Sequence, residues 1–356
     1  MKIKKITAVL TVAAMTAFAA ACSKSASSPT PSPEPTAAPT PAASFSVALV
    51  TNVDGINDGS FNQSSWEGLQ KFGQESGANV SYAESKQEAD YAVNLGNLAG
   101  NGPNLIWGVG GALADAVKAA AAQNPDKTYA VVDSAFAPGD GSNLIGVVFK
   151  MQESSFLVGY ITARTTTADK VGFIGSRQYS ASDSYQYGFE AGVQYGAKEI
   201  GKTISVDVQY IDSLADDALG KSTAAQMYAD GCDIIFASPD SVGSGLFEAA
   251  KEAGKLCIGV DQDQSGLAPD NTLTSALKEF NNAVYTVSQS VRNGESLGGT
   301  TVACGLKEGG VGIPYSNPLV VPDVLTAANS LKQQIIDGKV VPPANEADYN
   351  TFIAGL

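Results

Sequence analysis

The sequence predicts an α/β fold of two similar lobes, each with a parallel β-sheet between layers of helices. Short apolar runs with a strand pattern alternate with longer stretches of helical spacing along most of the chain. Alternating units of this length favour parallel, doubly wound sheets. Because the alternation occurs as two consecutive sets of the same construction, we expect two lobes with a cleft between them.

The candidate strands divide equally between the two sets. Strands of the first set are residues 47–51, 79–83, 104–109, 128–133 and 144–149, with helical patterns at 63–76 and 112–123. Strands of the second set are residues 170–175, 204–210, 233–237, 256–261 and 273–276, with helices near 184–198, 217–230, 245–254 and 278–292. We expect the following stretch, residues 298–356, to cross back and close the second lobe.

The amino terminus has the pattern of a secretory signal peptide over residues 1–21. Lysines at the start precede a run of small apolar residues that is too short and too rich in alanine for a spanning helix. The alanines before Cys22 resemble the lipobox of bacterial lipoproteins, in which the cysteine carries the lipid; simple secretion is the alternative. Residues 22–44, rich in Pro, Ser, Thr and Ala, predict an extended tether. We therefore expect a lipid-anchored protein at the extracytoplasmic face of the cell membrane.

The charge balance argues against nucleic acid as a partner. The chain has 22 Lys and Arg against 36 Asp and Glu, a formal net charge of −14. Removal of the signal peptide with its three lysines lowers the net charge to about −17. A lipid anchor, and not a basic patch, would hold such a protein to the membrane.

The composition also argues against an enzyme. The chain has no histidine, which excludes Ser-His-Asp and Cys-His catalysis and the common zinc sites. No GxSxG, Walker or HExxH motif occurs, and the glycine-rich residues 108–111 and the calcium-like loop from Asp261 each lack a required downstream residue. Cys232, Cys257 and Cys304 have no CxxC spacing and lie in apolar contexts, so we expect buried free thiols. We predict no catalytic residue, no metal and no cofactor.

Polar residues recur where the predicted strands end. Asn52 follows the first strand, Asp133 ends the fourth, and Asp261 ends a strand of the second lobe. Ligands of open α/β sheets bind at the carboxyl ends of the strands, so this recurrence predicts a ligand site there. For each residue taken singly, a capping or solvated role is the alternative.

Two loops add further candidates. In the first lobe, Asp58 is one of several turn formers, and residues 60–63 fit a capping box that would start a helix near Phe61. The Phe61 ring could then cover a flat ligand, and an ordinary buried phenylalanine is the alternative. In the second lobe, Gly243 belongs to a loop of small residues, 239–245, that could bring backbone N–H groups to a ligand.

The chain also contains segments that together resemble one family. They occur between about residues 47 and 313 and read VTNVDGINDGSFNQSSWEGLQ, SNLIGVVFKMQESSFLVGY, KVGFIG, YGFEAGV, GLFEAAKEAGK, IGVDQDQSGLAPDNTLTSALK and GLKEGGVGI. In this order they resemble the basic membrane protein family, the purine-nucleoside-binding lipoproteins that feed ABC importers. The resemblance implies a type I periplasmic-binding-protein fold, with two Rossmann-like lobes joined by three crossovers. The first lobe would hold residues 45–150 plus about 278–296, and the second residues 151–277 plus about 297–356.

The resemblance further implies a purine ring held between two aromatic side chains, with the ribose held by an aspartate and a lysine. Phe61 matches the first aromatic residue, and Tyr185 falls where the second, usually a phenylalanine, is expected. Asp261 matches the ribose-binding aspartate and Lys278 the lysine. Asp133 matches the acid that faces the base.

Four loop residues complete the predicted ligand site and include the main departure from the family. Asn62 is carried over from the resemblance, Asn52 is assigned from its place at the end of the first strand, and Asp58 and Gly243 are assigned from their places in the loops that precede helices. Asn52 stands where the family commonly has an aspartate, and Asp54 stands where glycine is usual. These two positions are therefore where a distinct ligand preference is expected.

Together these features predict an extracytoplasmic solute-binding lipoprotein that captures purine nucleosides between its lobes. It would deliver them to the permease and ATPase of an ABC importer, close by a hinge motion, and act as a monomer. Two alternatives remain on the same fold. The protein could be a ligand-sensing surface receptor, or it could bind another small polar solute such as a sugar.

Overall fold

The computed structural model describes residues 45–58, 60–213, 216–239 and 242–356, which form two β-sheets flanked by helices. All of these residues belong to one compact unit, Ala43–Leu356. The predicted signal peptide, Cys22 and the rest of the predicted tether, through residue 44, lie outside the described residues. Within the described ranges, none of the helices combines the length and the hydropathy of a membrane span.

The first sheet contains six parallel strands. These are β1 (Ser46–Val50), β2 (Asn79–Ala83), β3 (Leu105–Val109), β4 (Thr128–Val132), β5 (Leu144–Phe149) and β11 (Thr300–Cys304). Their order is β11-β5-β4-β3-β1-β2. Helices α1 (Phe61–Ser76) and α8 (Phe280–Arg292) cover one face, and α2 (Asp90–Gly100) and α3 (Ala114–Gln123) cover the other.

The second sheet repeats this construction. Its strands are β6 (Lys170–Gly175), β7 (Ser205–Tyr210), β8 (Ile234–Ala237), β9 (Leu256–Asp261), β10 (Thr272–Lys278) and β12 (Val311–Gly312). Their order is β12-β10-β9-β8-β6-β7, with β12 antiparallel to β10. Helices α4 (Met151–Thr165), α5 (Ser180–Glu199) and α9 (Pro322–Ile336) cover one face, α6 (Asp217–Ala229) and α7 (Gly245–Ala253) cover the other, and α10 (Glu346–Gly355) packs on α5.

The α/β class and the two similar lobes are thus confirmed. The first five strands of each lobe have the order 2-1-3-4-5, which is the doubly wound arrangement. The chain passes between the lobes three times, at Lys150 between β5 and α4, at Glu279 between β10 and α8, and at residues 305–310 between β11 and β12. The carboxyl ends of the parallel strands therefore lie at the edges from which the crossovers leave.

The carboxyl-terminal part of the chain differs from the prediction. The sequence assigns residues from about 297 onward to the second lobe, but Thr300–Cys304 forms β11 and pairs in parallel with β5 of the first sheet. This strand covers the edge that β5 would otherwise expose, and its Cys304 is buried in the core of the first lobe. Helix α8 also begins later than predicted, at Phe280, because β10 continues through Lys278.

Close helix contacts fix the elements that carry the predicted site. A Cβ atom at Gly68 of α1 would lie 2.2 Å from the carbonyl oxygen of Asn281 in α8. Likewise, a Cβ atom at Gly192 of α5 would lie 2.1 Å from the carbonyl oxygen of Phe156 in α4. Any side chain at these positions would force the helices apart. The backbones of both helix pairs therefore pack directly against each other.

The three cysteines of the described chain are buried free thiols, as predicted: Cys232, Cys257 and Cys304. Burial raises the pKa of the Cys257 thiol to about 12. It also raises the pKa of the other two thiols to about 11. Because the thiolate is the reactive form, these residues are chemically inert core residues at neutral pH.

Candidate functional site

A cavity of about 550 Å³ lies at the carboxyl ends of the strands, with walls from both lobes. Five of the predicted ligand residues line it: Phe61, Asp133, Tyr185, Asp261 and Lys278. The first two belong to the first lobe, and the other three belong to elements of the second. The volume is within the range of small-molecule sites in proteins. The fold therefore brings together residues that are far apart in the sequence.

An ion pair joins the two lobes in this cavity. The Lys278 ammonium, at the end of β10, donates to Oδ2 of Asp133, just after β4, at 2.7 Å. The Lys278 side chain is only 13% exposed, whereas that of Asp133 is 37% exposed. The ammonium also lies 5.0 Å from the ring centre of Phe149 and 4.8 Å from that of Phe280, within cation–π distance of both. Among the described residues that line this cavity, Lys278 is the one basic residue, and its ammonium is both ion-paired and in contact with aromatic rings.

The aromatic wall of the cavity is larger than predicted. The rings of Phe61 and Phe280 lie 6.0 Å apart at an interplanar angle of 49°, and Phe280 contacts Phe149 edge to face at 5.1 Å. Both Phe149 and Phe280 line the cavity, and sequence reasoning missed them. The signal that could have found them is their position, because each lies beside a crossover that follows the fifth strand of a lobe.

Asp133 and Asp261 occupy equivalent places in the two lobes and share an unusual backbone conformation. Asp133 follows β4 with a φ of 59°, and Asp261 ends β9 with a φ of 64°. Aspartate adopts this left-handed region more readily than most residues, although at a cost in energy. Strained residues of this kind cluster at ligand sites. In both lobes the left-handed residue turns the chain out of the sheet at the end of the fourth strand, beside the cavity.

Tyr185 provides both an apolar ring and a hydroxyl group. It lies on α5, is 4% exposed, and its ring packs against Phe236 with centroids 6.3 Å apart. Its hydroxyl donates to Oδ1 of Asp261 at 3.2 Å. Burial, reinforced by the nearby Asp261 carboxylate, raises the pKa of the Tyr185 hydroxyl well above its usual value. The hydroxyl therefore remains a hydrogen-bond donor throughout the physiological pH range.

Gly243 does not line the 550 Å³ cavity but an adjoining one of about 320 Å³, which it shares with Asp261. Its φ is 47°, and a Cβ atom there would lie 1.8 Å from Oδ1 of Asp217. Ser244 donates its hydroxyl to the same carboxylate at 2.8 Å. Only glycine satisfies both the backbone angle and the contact with α6. Gly243 thus shapes the loop beside the ligand cavity.

The cleft is acidic. A third cavity, of about 260 Å³, adjoins the other two and also contains Asp261. Among the described residues that line these three cavities, Lys278 is the one basic residue, and the acidic residues are Glu67, Asp133, Asp261, Asp263 and Glu279. Since Lys278 is already paired with Asp133, the lining favours a neutral or cationic ligand over an anionic one.

The three remaining predicted residues, Asn52, Asp58 and Asn62, bind one another and are not among the residues that line these three cavities. Asn62, which is fully buried, donates its amide to Oδ1 of Asn52 at 2.6 Å and to Oδ2 of Asp58 at 2.8 Å. The Asp58 carboxylate also accepts from the backbone N–H groups of Ser60, Asn62 and Gln63 at 2.9 to 3.0 Å. The predicted capping box is wrong, because Ser60 makes no side-chain capping bond and Asp58 caps α1 instead. These residues set the position of Phe61.

Replacing Asp58 with alanine is expected to destabilise the protein by about 1–2 kcal/mol, because the first turn of α1 loses its capping acceptor. Urea unfolding followed by circular dichroism measures this change. Ser60→Ala is the matched control, since the Ser60 side chain makes no capping bond. Equal stability losses in the two variants would contradict the assignment of Asp58 as the cap.

Comparisons with known proteins agree with this architecture. Residues 45–346 match the sequence profile of the ABC transporter substrate-binding proteins described as PnrA-like. The ABC transporter nucleoside-binding protein BmpA of Lactococcus lactis is 36% identical over 318 residues, covering 83% of this chain and 88% of that protein. Basic membrane protein A of Borreliella burgdorferi is 36% identical over 307 residues, covering 85% of this chain and 89% of that protein.

Solved structures confirm the predicted type I periplasmic-binding-protein fold. An ABC transporter solute-binding protein from Aeropyrum pernix has a TM-score of 0.68 and 26% identity, covering 87% of this chain and 96% of that one. A solute-binding protein from Conexibacter woesei, at 20% identity, has a TM-score of 0.69 over 85% of this chain and supports the fold alone. The chain therefore belongs to the PnrA-like family of substrate-binding proteins of ABC transporters.

Proposed function

We propose that this protein captures purine nucleosides between its lobes for delivery to an ABC importer. One observation carries the proposed ligand: a single cavity is lined by five residues that the sequence predicts as ligand contacts, namely Phe61, Asp133, Tyr185, Asp261 and Lys278. The name of the Lactococcus lactis relative, a nucleoside-binding protein, supports the same ligand class.

The chemistry of the cavity suits the two halves of a nucleoside. The rings of Phe61, Phe149, Tyr185 and Phe280 supply an apolar surface for the flat base, for which stacking is strong and not very directional. Carboxylates accept hydrogen bonds from sugar hydroxyls and from base N–H groups, and an ammonium donates to sugar oxygens. Binding by groups from both lobes would favour the closed state, because only that state offers every contact.

The charge of the cavity defines the ligand further. Its acidic lining, with Lys278 already paired to Asp133, disfavours a phosphate group. Nucleosides are uncharged at neutral pH, whereas nucleotides are not. We therefore assign the unphosphorylated nucleoside as the ligand.

A thermal-shift screen of the purified protein tests this function. Adenosine, guanosine and inosine are compared with their free bases, with ribose and arabinose, and with the 5′-monophosphates. A ligand present at a hundred times its dissociation constant stabilises the folded state by about 2.7 kcal/mol, so at least one nucleoside should raise the melting temperature clearly. The monophosphates should produce little change. A shift with sugars alone would replace the nucleoside by a sugar, and a lack of response to every nucleoside would overturn the proposal.

Retention at the membrane through Cys22 is part of the same proposal. We infer that the mature protein begins at this residue, carries lipid there, and works as an extracytoplasmic monomer without catalysis of its own. The small-residue run before Cys22 and the Pro-rich residues after it support an anchor and a tether. Cys22→Ser should move the protein from the membrane fraction to the soluble or secreted fraction. Continued membrane association of this variant would contradict lipidation.

A further inference from the structure

We propose that the Tyr185 hydroxyl is a positioning group: it orients the Asp261 carboxylate, the group expected to bind the ribose, and so strengthens the binding of ligands that carry the sugar diol. This inference rests on the proposed function and concerns the sugar half of the ligand. Its starting point is the hydrogen bond from the Tyr185 hydroxyl to Oδ1 of Asp261, at 3.2 Å. The two residues come from different elements, α5 and β9, and meet at the wall of the 550 Å³ cavity.

Asp261 is well placed to hold a ligand. It lines all three adjoining cavities, and its left-handed backbone places it at the point where the chain leaves the sheet. A carboxylate offers about four acceptor positions, and the hydrogen bond from Tyr185 orients the group while occupying one of them. A short side chain held in this way loses less rotational freedom when the ligand binds, and such preorganisation increases affinity.

The tyrosine is itself held rigidly. Its ring is buried and packs against Phe236 of β8. On the same helix, a Cβ atom at Gly188 would lie 2.7 Å from the Cα atom of Gln152, and Gly192 approaches Phe156 still more closely. Helix α5 therefore has no room to shift against α4, and the hydroxyl stays at a fixed place. A phenylalanine at this position would offer a similar ring but would leave the carboxylate without this donor.

The direction of the hydrogen bond between Tyr185 and Asp261 determines which ligand groups the carboxylate can bind. The buried Tyr185 hydroxyl stays protonated and donates, so Asp261 acts as the acceptor. An acceptor that is held in place favours ligands with hydroxyl donors at the matching positions and loses affinity for ligands that lack them. The 2′ and 3′ hydroxyls of a ribonucleoside form such a pair. The hydroxyl of Tyr185 should therefore contribute to binding only when the ligand carries the diol.

Titration calorimetry with Tyr185→Phe tests this inference. The probes are adenosine and inosine with their 2′,3′-dideoxy analogues, measured on the unaltered protein and on the variant. We expect the variant to lose about three- to tenfold in affinity for the ribonucleosides, the amount that one hydrogen bond contributes. Its affinity for the dideoxy analogues should stay unchanged. The readout is the affinity for a ribonucleoside divided by the affinity for its dideoxy analogue. A general loss of packing would lower both affinities and leave this ratio unchanged.

The matched control is Tyr228→Phe. Tyr228 is also buried in the second lobe, but its hydroxyl donates to the backbone oxygen of Leu256 at 2.8 Å, and the residue is not among those that line the three cleft cavities. This variant should leave unchanged the ratio of the affinity for the ribonucleoside to that for its dideoxy analogue. Equal losses for both ligand types in Tyr185→Phe, or no loss for either, would overturn the inference while the proposed function stands. Failure of the unaltered protein to bind adenosine, guanosine and inosine alike would overturn both the inference and the proposed function.

Discussion

Phe61→Ala is expected to lower the affinity for purine nucleosides at least tenfold, or about 1.4 kcal/mol in binding free energy. The Phe61 ring lines the 550 Å³ cavity at the first residue of α1, beside the ring of Phe280. Stacking of a base on an aromatic side chain contributes about 1–3 kcal/mol when it is tested by alanine substitution. Titration calorimetry with the nucleoside that gives the largest thermal shift measures the loss.

Two further variants separate ligand contact from folding. Trp66→Ala removes an aromatic residue from the same helix, but Trp66 packs on Tyr82 at 4.9 Å and is not among the residues that line the cavity. It should leave affinity nearly unchanged. Phe61→Leu keeps an apolar side chain without a ring face and should give an intermediate affinity. Unchanged binding in Phe61→Ala, or an equal loss in Trp66→Ala, would remove Phe61 from the ligand contacts.

Most of the fold could be predicted from the sequence because its signals are local. Buried parallel strands such as β3 and β4 appear as continuous apolar runs, and the helices between them have the 3.6-residue spacing. Strand β11 could not be assigned in the same way. Its residues, Thr300–Cys304, are mostly exposed, so its place is decided by pairing with the distant β5 and not by its own pattern.

From the residues alone, the candidate site could be predicted where position in the fold decides the role, whereas Tyr185 and Lys278 come from the family resemblance. Residues at strand ends, such as Asp133 and Asp261, reach the cavity because parallel strands deliver their carboxyl ends to one edge. For Asn52, Asp58 and Asn62 the same residue types serve equally well as ligand contacts or as helix caps. Only the direction of each side chain distinguishes these roles, and that direction depends on neighbours that the sequence does not specify.

Asn52 and Asp54, the two positions where the resemblance implies a departure from the family, are joined by hydrogen bonds. Asn52 donates its side-chain amide to Oδ2 of Asp54 at 2.7 Å, and the backbone N–H of Asp54 donates back to Oδ1 of Asn52 at 3.0 Å. An aspartate at position 52 would place two carboxylates in contact, and a glycine at position 54 would leave the amide without this acceptor. Asn52 and Asp54 therefore stabilise each other within the β1 to α1 loop, a structural role that needs no ligand.

Lys278→Met is expected to weaken nucleoside binding by roughly ten- to a hundredfold. The methionine keeps much of the side-chain volume between Phe149 and Phe280 but removes the ammonium that binds Asp133 at 2.7 Å. A hydrogen bond to a charged group contributes about 1.5–3 kcal/mol, and the variant also leaves Asp133 without this cation. Titration calorimetry measures the affinity, and the melting temperature of the free protein reports any loss of stability from breaking a contact between the lobes.

The role of the ion pair is resolved by a double-variant cycle. If Lys278 acts mainly by neutralising Asp133, then Lys278→Met combined with Asp133→Asn should recover part of the affinity lost in Lys278→Met alone. If the ammonium binds the ligand directly, the double variant should bind no better than the single one. Lys150→Met is the control, since Lys150 lies in the neighbouring crossover, pairs with Glu153 at 3.7 Å, and is not among the residues that line the cavity. If Lys150→Met lost as much affinity as Lys278→Met, the losses would reflect a weakened connection between the lobes. That result would contradict a ligand role for Lys278.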